Sequence, residues 1–171
     1  MRSPGKRVAF LSVLTALGMI LSYLEALIPV FYGVPGMKAG LGNILVVFLL
    51  YTLGRRDALI VNLLRISLTA LLFGNPYSFV YSFCGAALSF AVMVVLKEQD
   101  FFSCYGVSMA GGIAHNIGQI IVALFLVENY RIILYLPALV ISGCITGAGI
   151  AFIAAMVIKR IGRRNVIDMG T

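Results

Sequence analysis

Long runs without a charged residue alternate with short basic clusters along this chain. The longest run, 66–96, contains no Asp, Glu, Lys or Arg. Of the 171 residues, 61% are hydrophobic and only 11% are charged, and the mean hydropathy is +1.05. A water-soluble domain of this size cannot bury so large an apolar share. The pattern therefore excludes a soluble enzyme and indicates an integral membrane protein.

The uncharged runs can be compared with the thickness of a membrane. An α-helix needs about 20 mostly apolar residues to cross about 30 Å of hydrocarbon. Six segments fit, once the longest run is divided at Gly74-Asn75-Pro76, because proline disfavours helix at the preceding residue. We predict an all-α, polytopic membrane protein with one integral membrane domain, 1–171. Its six transmembrane helices are predicted near residues 8–28, 38–54, 58–73, 77–97, 105–127 and 132–158.

The basic residues predict the orientation of these helices. Six crossings place ten of the 13 basic residues, at the two termini, Arg55, Arg56 and Lys97, on one side. Only Lys38 and Arg131 fall on the other side. Because basic loops stay cytoplasmic, we expect a cell-membrane protein with both termini in the cytoplasm. The net charge of +7 thus reflects the basic loops that set the orientation in the membrane. The expected partner of the protein is the lipid bilayer and not nucleic acid.

Arg65 is the one basic residue in the interior of a predicted span, about 10 Å from the interface at 1.5 Å per residue. A charge at this depth is costly and needs a reason. Asn62 and Thr69 lie three before and four after it, on the same helix face. The sequence leaves two interpretations open: a guanidinium that awaits an anionic ligand, or a structural pair with Glu25 or with helix-end carbonyls.

The fifth span carries the densest polar set. Ser108, His115 and Gln119 recur on one stripe, and Asn116 lies about 100° around the helix from His115. His115 is the only histidine, and the three cysteines have no metal-ligand spacing, so no metal site is expected. Ligand hydrogen bonding or proton handling is one interpretation of His115, and a structural histidine is the other.

On the predicted outer side, Glu25 ends the first span, and a glycine-rich segment with Lys38 and Asn43 leads into the second. Its glycines let the backbone approach another group closely, and Lys38 beside free helix-start amides would favour an anion. An ordinary Gly-Pro loop with a lysine that reaches the interface is the alternative.

Small residues at helical spacing predict close helix contacts. Gly143 and Gly147 have GxxxG spacing in the sixth span. Ala9, Ser12 and Ala16 form a smooth face on the first span that could meet a helix of this chain or of a partner.

Several of these residues lie in strings that together resemble one protein family. The specific strings are Pro35-Gly36-x-Lys38-x-Gly40-x-x-Asn43 and His115-Asn116-x-Gly118-Gln119. Further matches at Glu25, Arg65-Ile66 and Gly143 to Gly147 extend the similarity over nearly the whole chain. The sequence resembles the Gx transporter family, whose members are often labelled heptaprenyl diphosphate synthase component I.

The resemblance implies a bundle similar to the substrate-binding S components of energy-coupling-factor (ECF) importers. These six-helix proteins capture a vitamin-like ligand near the outer face and work with a membrane scaffold and two cytoplasmic ATPases. This chain has no GxxxxGK[ST] phosphate loop, so ATP would be used only by such partners. S components commonly dock through an AxxxA face of the first helix, which Ala9, Ser12 and Ala16 match loosely.

The acidic residues indicate whether this chain could itself catalyse the reaction that the synthase label names. Prenyl elongation needs aspartate-rich motifs that hold Mg²⁺ on a diphosphate. The only aspartates, Asp57, Asp100 and Asp168, are isolated. We therefore expect no catalysis by this chain and no intrinsic cofactor.

The sequence thus predicts a transport protein that binds a small amphipathic ligand from the extracytoplasmic side, similar to a vitamin, an isoprenoid or a quinone precursor. Lys38 and Arg65 would supply charge, and Asn43, Asn116 and Gln119 would orient the ligand. The full candidate set is Glu25, Lys38, Asn43, Arg65, His115, Asn116 and Gln119.

Two alternatives remain open. Some relatives look associated with flavin-based extracellular electron transfer. A membrane subunit that passes quinol electrons to an extracytoplasmic flavoprotein would then need a bound quinone or flavin or another subunit. A purely structural membrane subunit is the third possibility.

Overall fold

Six α-helices and one short 3₁₀ helix make up the regular structure of the part of the chain that is described. The computed structural model describes residues 4–27, 40–74, 76–99, 101–127 and 130–167, and no strand occurs within these ranges. The helices are α1 (Pro4–Leu27), α2 (Asn43–Thr52), α3 (Arg55–Phe73), α4 (Pro76–Glu98), α5 (Cys104–Val127) and α6 (Leu136–Ile167), with the 3₁₀ helix at Tyr130–Tyr135. The predicted all-α class and the presence of six α-helices are confirmed for the described residues.

Four of the helices, α1, α4, α5 and α6, are long and apolar enough to cross a membrane. Helix α3 has 19 residues but carries Arg55, Arg56, Asp57 and Arg65. Large apolar side chains lie exposed around the molecule, and Leu71 and Phe125 are each 80% exposed. Such a surface is stable in lipid and unstable in water. These features indicate a membrane protein.

Helix α2 is shorter than the span predicted for it at 38–54. Within the described part of that segment, Gly40–Gly42 is not helical, and the helix covers ten residues, about 15 Å at 1.5 Å per residue. Gly40 has φ +75°, a left-handed conformation that glycine adopts without strain. The difference arises because these residues form a turn whose amides bind another helix, as described below.

Helix α2 lies at the centre of the bundle, between α3 and α6. Its six residues Leu45–Leu50 are all buried, on every side of the helix. A helix that is apolar all round belongs inside a protein. The core cluster is completed by residues from the five other helices: Leu14, Ala58, Val61, Met93, Val107, Ile150 and Ala154.

Around this centre, α5 packs between α4 and α6, while α3 packs against α1, α2 and α4. A Cβ atom on Gly147 would lie 2.6 Å from Met109 Cα, and one on Gly143 would lie 2.8 Å from the Gly112 backbone. Ser108 Oγ also donates a hydrogen bond to Gly147 O at 2.7 Å. The backbones of α5 and α6 therefore touch, which only glycine permits at these positions.

Charged side chains join the helices at one end of the bundle. Arg7 Nη2 lies 2.6 Å from Asp57 Oδ1, which links α1 to α3. Lys97 Nζ donates to Leu50 O at the end of α2, where a cation also interacts favourably with the helix dipole. Since α1 and α3 run in the same direction, their other ends meet at the opposite end of the bundle.

Candidate ligand site

A cavity of about 110 Å³ lies at the end of the bundle away from these charged links. It is enclosed by the last turns of α1 and α3, the turn before α2, the start of α4 and the middle of α5. Its apolar wall includes Tyr23, Ile66 and Phe73. The polar side chains that line it are Ser22, Glu25, Asn43, Arg65, Thr69, Ser78, Ser82 and His115. Four of the seven predicted ligand residues, Glu25, Asn43, Arg65 and His115, therefore line one cavity.

Arg65 is the centre of this arrangement, and it is only 8% exposed. Its Nη1 donates to Ser22 Oγ of α1 at 2.9 Å. Its Nη2 donates to Asn62 Oδ1 on the same helix at 2.8 Å and to Asn43 Oδ1 of α2 at 3.2 Å. The guanidinium thus joins three helices through neutral oxygen atoms.

Two glycines make room for Arg65. A Cβ on Gly18 of α1 would lie 2.8 Å from Arg65 Cδ, so this glycine accommodates the aliphatic stem. A Cβ on Gly42 would lie 2.0 Å from Arg65 Nη1 and 2.6 Å from Ser22 Oγ. Any larger residue at either position would displace Arg65.

Among the described residues, no carboxylate lies within 4.0 Å of the Arg65 guanidinium, but Glu25 in the wall of the same cavity interacts with it electrostatically from a greater distance. The ion pairs Arg7–Asp57 and Arg55–Glu98, each within 4.0 Å, do not include Arg65. The Nε atom of Arg65 is buried, and no described residue accepts its hydrogen bond. Thr69 Oγ1, one turn further along α3 in the cavity wall, is likewise buried without a hydrogen-bond partner among described residues. This part of the cavity has a cation and an unused donor, so it can bind an anion.

Glu25 stabilises the turn that leads into α2. Its Oε1 accepts a hydrogen bond from Gly40 N at 2.5 Å, and its Oε2 accepts one from Leu41 N at 3.1 Å. A carboxylate next to amides at a helix start is favourable in hydrogen bonding and in charge. Glu25 therefore links the end of α1 to the start of α2.

The three predicted ligand residues of α5 have different surroundings. His115 lines the cavity and lies against α4, where a Cβ on Gly85 would be 3.0 Å from its Cε1 atom. Asn116 is buried, and its Nδ2 donates to Leu139 O of α6 at 2.7 Å. Gln119 is buried beside Gly85 outside the cavity wall, and no described residue hydrogen-bonds its Oε1.

The remaining predicted residues lie elsewhere. Lys38 falls outside the described residues. Ala9, Ser12 and Ala16 are exposed on α1. Within the described ranges, no three His, Cys, Asp or Glu side chains lie together as a metal site requires.

Sequence reasoning missed Gly18 and Ser22 as partners of Arg65. They precede Glu25 by seven and three residues, so Gly18, Ser22 and Glu25 share one face of α1. This spacing was the available signal. It shows that the three share a face, but not which helix they meet.

A sequence model of the family described as heptaprenyl diphosphate synthase component I matches residues 14–157, which include every cavity residue named above. Searches of curated proteins and of solved structures found no match. Because the matched region covers most of the 171 residues, the chain belongs to the heptaprenyl diphosphate synthase component I family, as the motifs indicated.

Proposed function

We propose that this protein is a membrane substrate-binding protein that captures a small amphipathic ligand, with the ligand's anionic head at Arg65. The observation that carries the proposal is the guanidinium of Arg65, which is buried beside a cavity and contacts only neutral acceptors. A buried ion costs several kcal/mol unless it is paired. An anionic ligand would recover part of that free energy on binding.

The walls of the cavity support an amphipathic ligand. Its volume of about 110 Å³ is below the roughly 300–1,000 Å³ of pockets that enclose a drug-sized molecule, so it suits a head group. The rings of Tyr23 and Phe73 lie 4.7 Å apart at its edge and offer apolar surface to the body of the ligand. A vitamin-, isoprenoid- or quinone-precursor-like carboxylate or phosphate fits this description.

The side from which the ligand enters follows from the charges. Basic residues cluster at the end opposite to the cavity, at Arg7, Arg55, Arg56 and Lys97. The positive-inside rule assigns that end to the cytoplasm, with both termini. The cavity then faces the extracytoplasmic side.

The partners we propose are those of an ECF-type importer, a membrane scaffold with ATPase subunits. The family is named as one component of a synthase, which supports association with another subunit. The exposed face of Ala9, Ser12 and Ala16 on α1 is available to such a partner. We also propose that the chain is not itself a catalyst, because Asp57 bonds Arg7 and the sequence has no aspartate-rich motif.

The test begins with small molecules that copurify with the protein, identified by mass spectrometry. Arg65→Gln should reduce ligand occupancy at least tenfold, since a neutral amide cannot pair with the anion. Arg160→Gln, which removes a charge from an exposed position on α6, serves as the control. Equal occupancy in Arg65→Gln would refute the assignment of Arg65.

A transport assay separates the importer from the electron-transfer alternative. Uptake of the identified ligand should require ATP and a copurifying scaffold. Quinol-dependent reduction of an external flavoprotein without ATP would instead favour electron transfer and contradict the proposal.

A further inference from the structure

A second concave surface lies between α3 and α4, at the end of the bundle opposite to the ligand cavity. It is an open groove of about 360 Å³. Leu59 of α3 and Phe90 and Val94 of α4 contribute its apolar surface, and Arg55 and Arg56 lie at its mouth. This α3–α4 groove shares no residue with the cavity around Arg65.

The apolar residues of the groove follow the helix axes. Leu59 lies one turn after Arg55 on α3, and Phe90 lies one turn before Val94 on α4. Since α3 and α4 run in opposite directions, both pairs extend the groove from the arginines towards the middle of the bundle. The result is an apolar groove that runs along α3 and α4 and has basic residues at its mouth.

The mouth carries an excess positive charge. Arg55 Nη1 is 2.5 Å from Glu98 Oε1, in an ion pair whose two side chains are 66% and 57% exposed. Arg56 is exposed and makes no ion pair or side-chain hydrogen bond within the described residues. An exposed pair such as Arg55 and Glu98 is weak and can exchange partners.

We propose that the α3–α4 groove binds an anionic glycerophospholipid, with its phosphate at Arg55 and Arg56 and one acyl chain along Leu59, Phe90 and Val94. Charge complementarity selects this occupant, because guanidinium groups bind phosphate through paired hydrogen bonds. The apolar part of the groove begins next to Arg55 and Arg56 and would hold the acyl chain. The position is consistent with the anionic inner leaflet, which attracts basic residues near the membrane surface.

The absence of tryptophan from the chain permits a clean measurement. A Phe90→Trp variant places a single fluorescent reporter in the groove. The full-length protein is reconstituted into vesicles in which either phosphatidylglycerol or phosphatidylcholine carries brominated acyl chains that quench tryptophan. From the quenching by the two lipids, we expect phosphatidylglycerol to bind beside this reporter about five times more strongly than phosphatidylcholine. This factor corresponds to the attraction of about one basic residue for an anionic lipid. Equal quenching by the two lipids would overturn the proposal.

Matched variants locate the effect. Adding Arg55→Gln and Arg56→Gln should abolish the preference, whereas Lys159→Gln with Arg160→Gln, which removes two charges from the exposed surface of α6, should leave it unchanged. A Phe152→Trp reporter is depth-matched, since Phe152 precedes Lys159 by seven residues as Phe90 precedes Lys97. The α3 substitutions should not alter its quenching, which also verifies that they leave the fold intact.

The remaining outcomes also decide the question. An equal loss of preference with the α6 pair would show a general surface charge effect and overturn the site. A Phe90→Trp reporter that neither brominated lipid quenches would show that lipid does not occupy the groove, and would overturn the proposal as well.

Discussion

At the scale of single residues, the position of Arg65 depends both on hydrogen-bond acceptors and on the absence of a side chain at two neighbouring glycines. Ser22, Asn43 and Asn62 provide oxygen atoms, while Gly18 and Gly42 provide space. None of the three oxygen atoms carries a charge. These contacts hold the guanidinium in one orientation without neutralising its charge, and Glu25 is the one described carboxylate in the same cavity.

Gly42→Ala tests this dependence on space. The new methyl group would overlap Arg65 Nη1, so the guanidinium must move. Overpacking of this kind costs about 1–3 kcal/mol. We expect ligand affinity to fall at least tenfold in a binding assay on the purified protein. Gly5→Ala, where nothing lies within 4 Å, is the control and should bind as the parent does. Unchanged affinity in Gly42→Ala would contradict the observed position of Arg65.

Glu25→Gln tests the link between α1 and the turn before α2. An amide keeps only one acceptor oxygen, so one of the two backbone hydrogen bonds and the charge are lost. Hydrogen bonds to charged groups contribute about 1.5–3 kcal/mol, and a loss of this order should appear in the thermal unfolding of the detergent-solubilised protein. Glu98→Gln, in an exposed ion pair, should cost less than about 1 kcal/mol. Equal losses in both variants would show that the Glu25 contacts contribute no more than a surface pair.

At the scale of the elements, two features distinguish this bundle from a set of simple membrane-spanning helices. They are the short buried helix α2 and the close contact between α5 and α6. The buried helix α2 is stabilised by apolar side chains on all sides, and Gly54, with φ +96°, permits the short connection to α3. Helices α5 and α6 touch through backbone atoms at Gly112, Gly143 and Gly147. Contact at this distance gains van der Waals energy that larger residues would prevent.

The α5–α6 contact predicts that alanine substitution at two glycines of α6 has different effects on stability. Gly147→Ala would place a methyl group 2.6 Å from Met109 Cα and Ser108 O, so the helices must separate. We expect a loss of about 1–3 kcal/mol, measured as a lower unfolding temperature. Gly149→Ala, with open space around it, should be neutral or stabilising by up to about 1 kcal/mol. Similar unfolding temperatures for the two variants would show that α5 and α6 are less closely packed than observed.

At the scale of the whole molecule, the two ends of the bundle differ in chemistry. One end has Arg7, Arg55, Arg56 and Lys97, joined in part to Asp57, Glu98 and the end of α2. The other end has the cavity. This polarity supports uptake of a ligand from the side opposite to the basic loops.

Cysteine labelling in intact cells tests that orientation. In a variant without Cys84, Cys104 and Cys144, Tyr77→Cys, at the cavity end of α4, should react with a membrane-impermeant maleimide from outside. Gly5→Cys, at the other end, should react only after the membrane is permeabilised. Both positions are exposed on the molecule, so access and not burial decides the result. The reverse pattern would invert the proposed orientation and place the cavity in the cytoplasm.

The pattern of the sequence alone determined the all-α class, the number of helices and the family, since charge-free runs, proline breaks and motif strings are local features. It also identified Arg65 as exceptional and placed Asn62 on its face, because the two are three residues apart on one helix. Only the tertiary structure decided that Ser22 and Asn43 complete its hydrogen bonds, that Asn116 bonds α6 instead of the cavity, and that α2 is a short central helix. These facts depend on how helices pack against one another, and side-chain spacing along one helix does not specify which neighbour it meets.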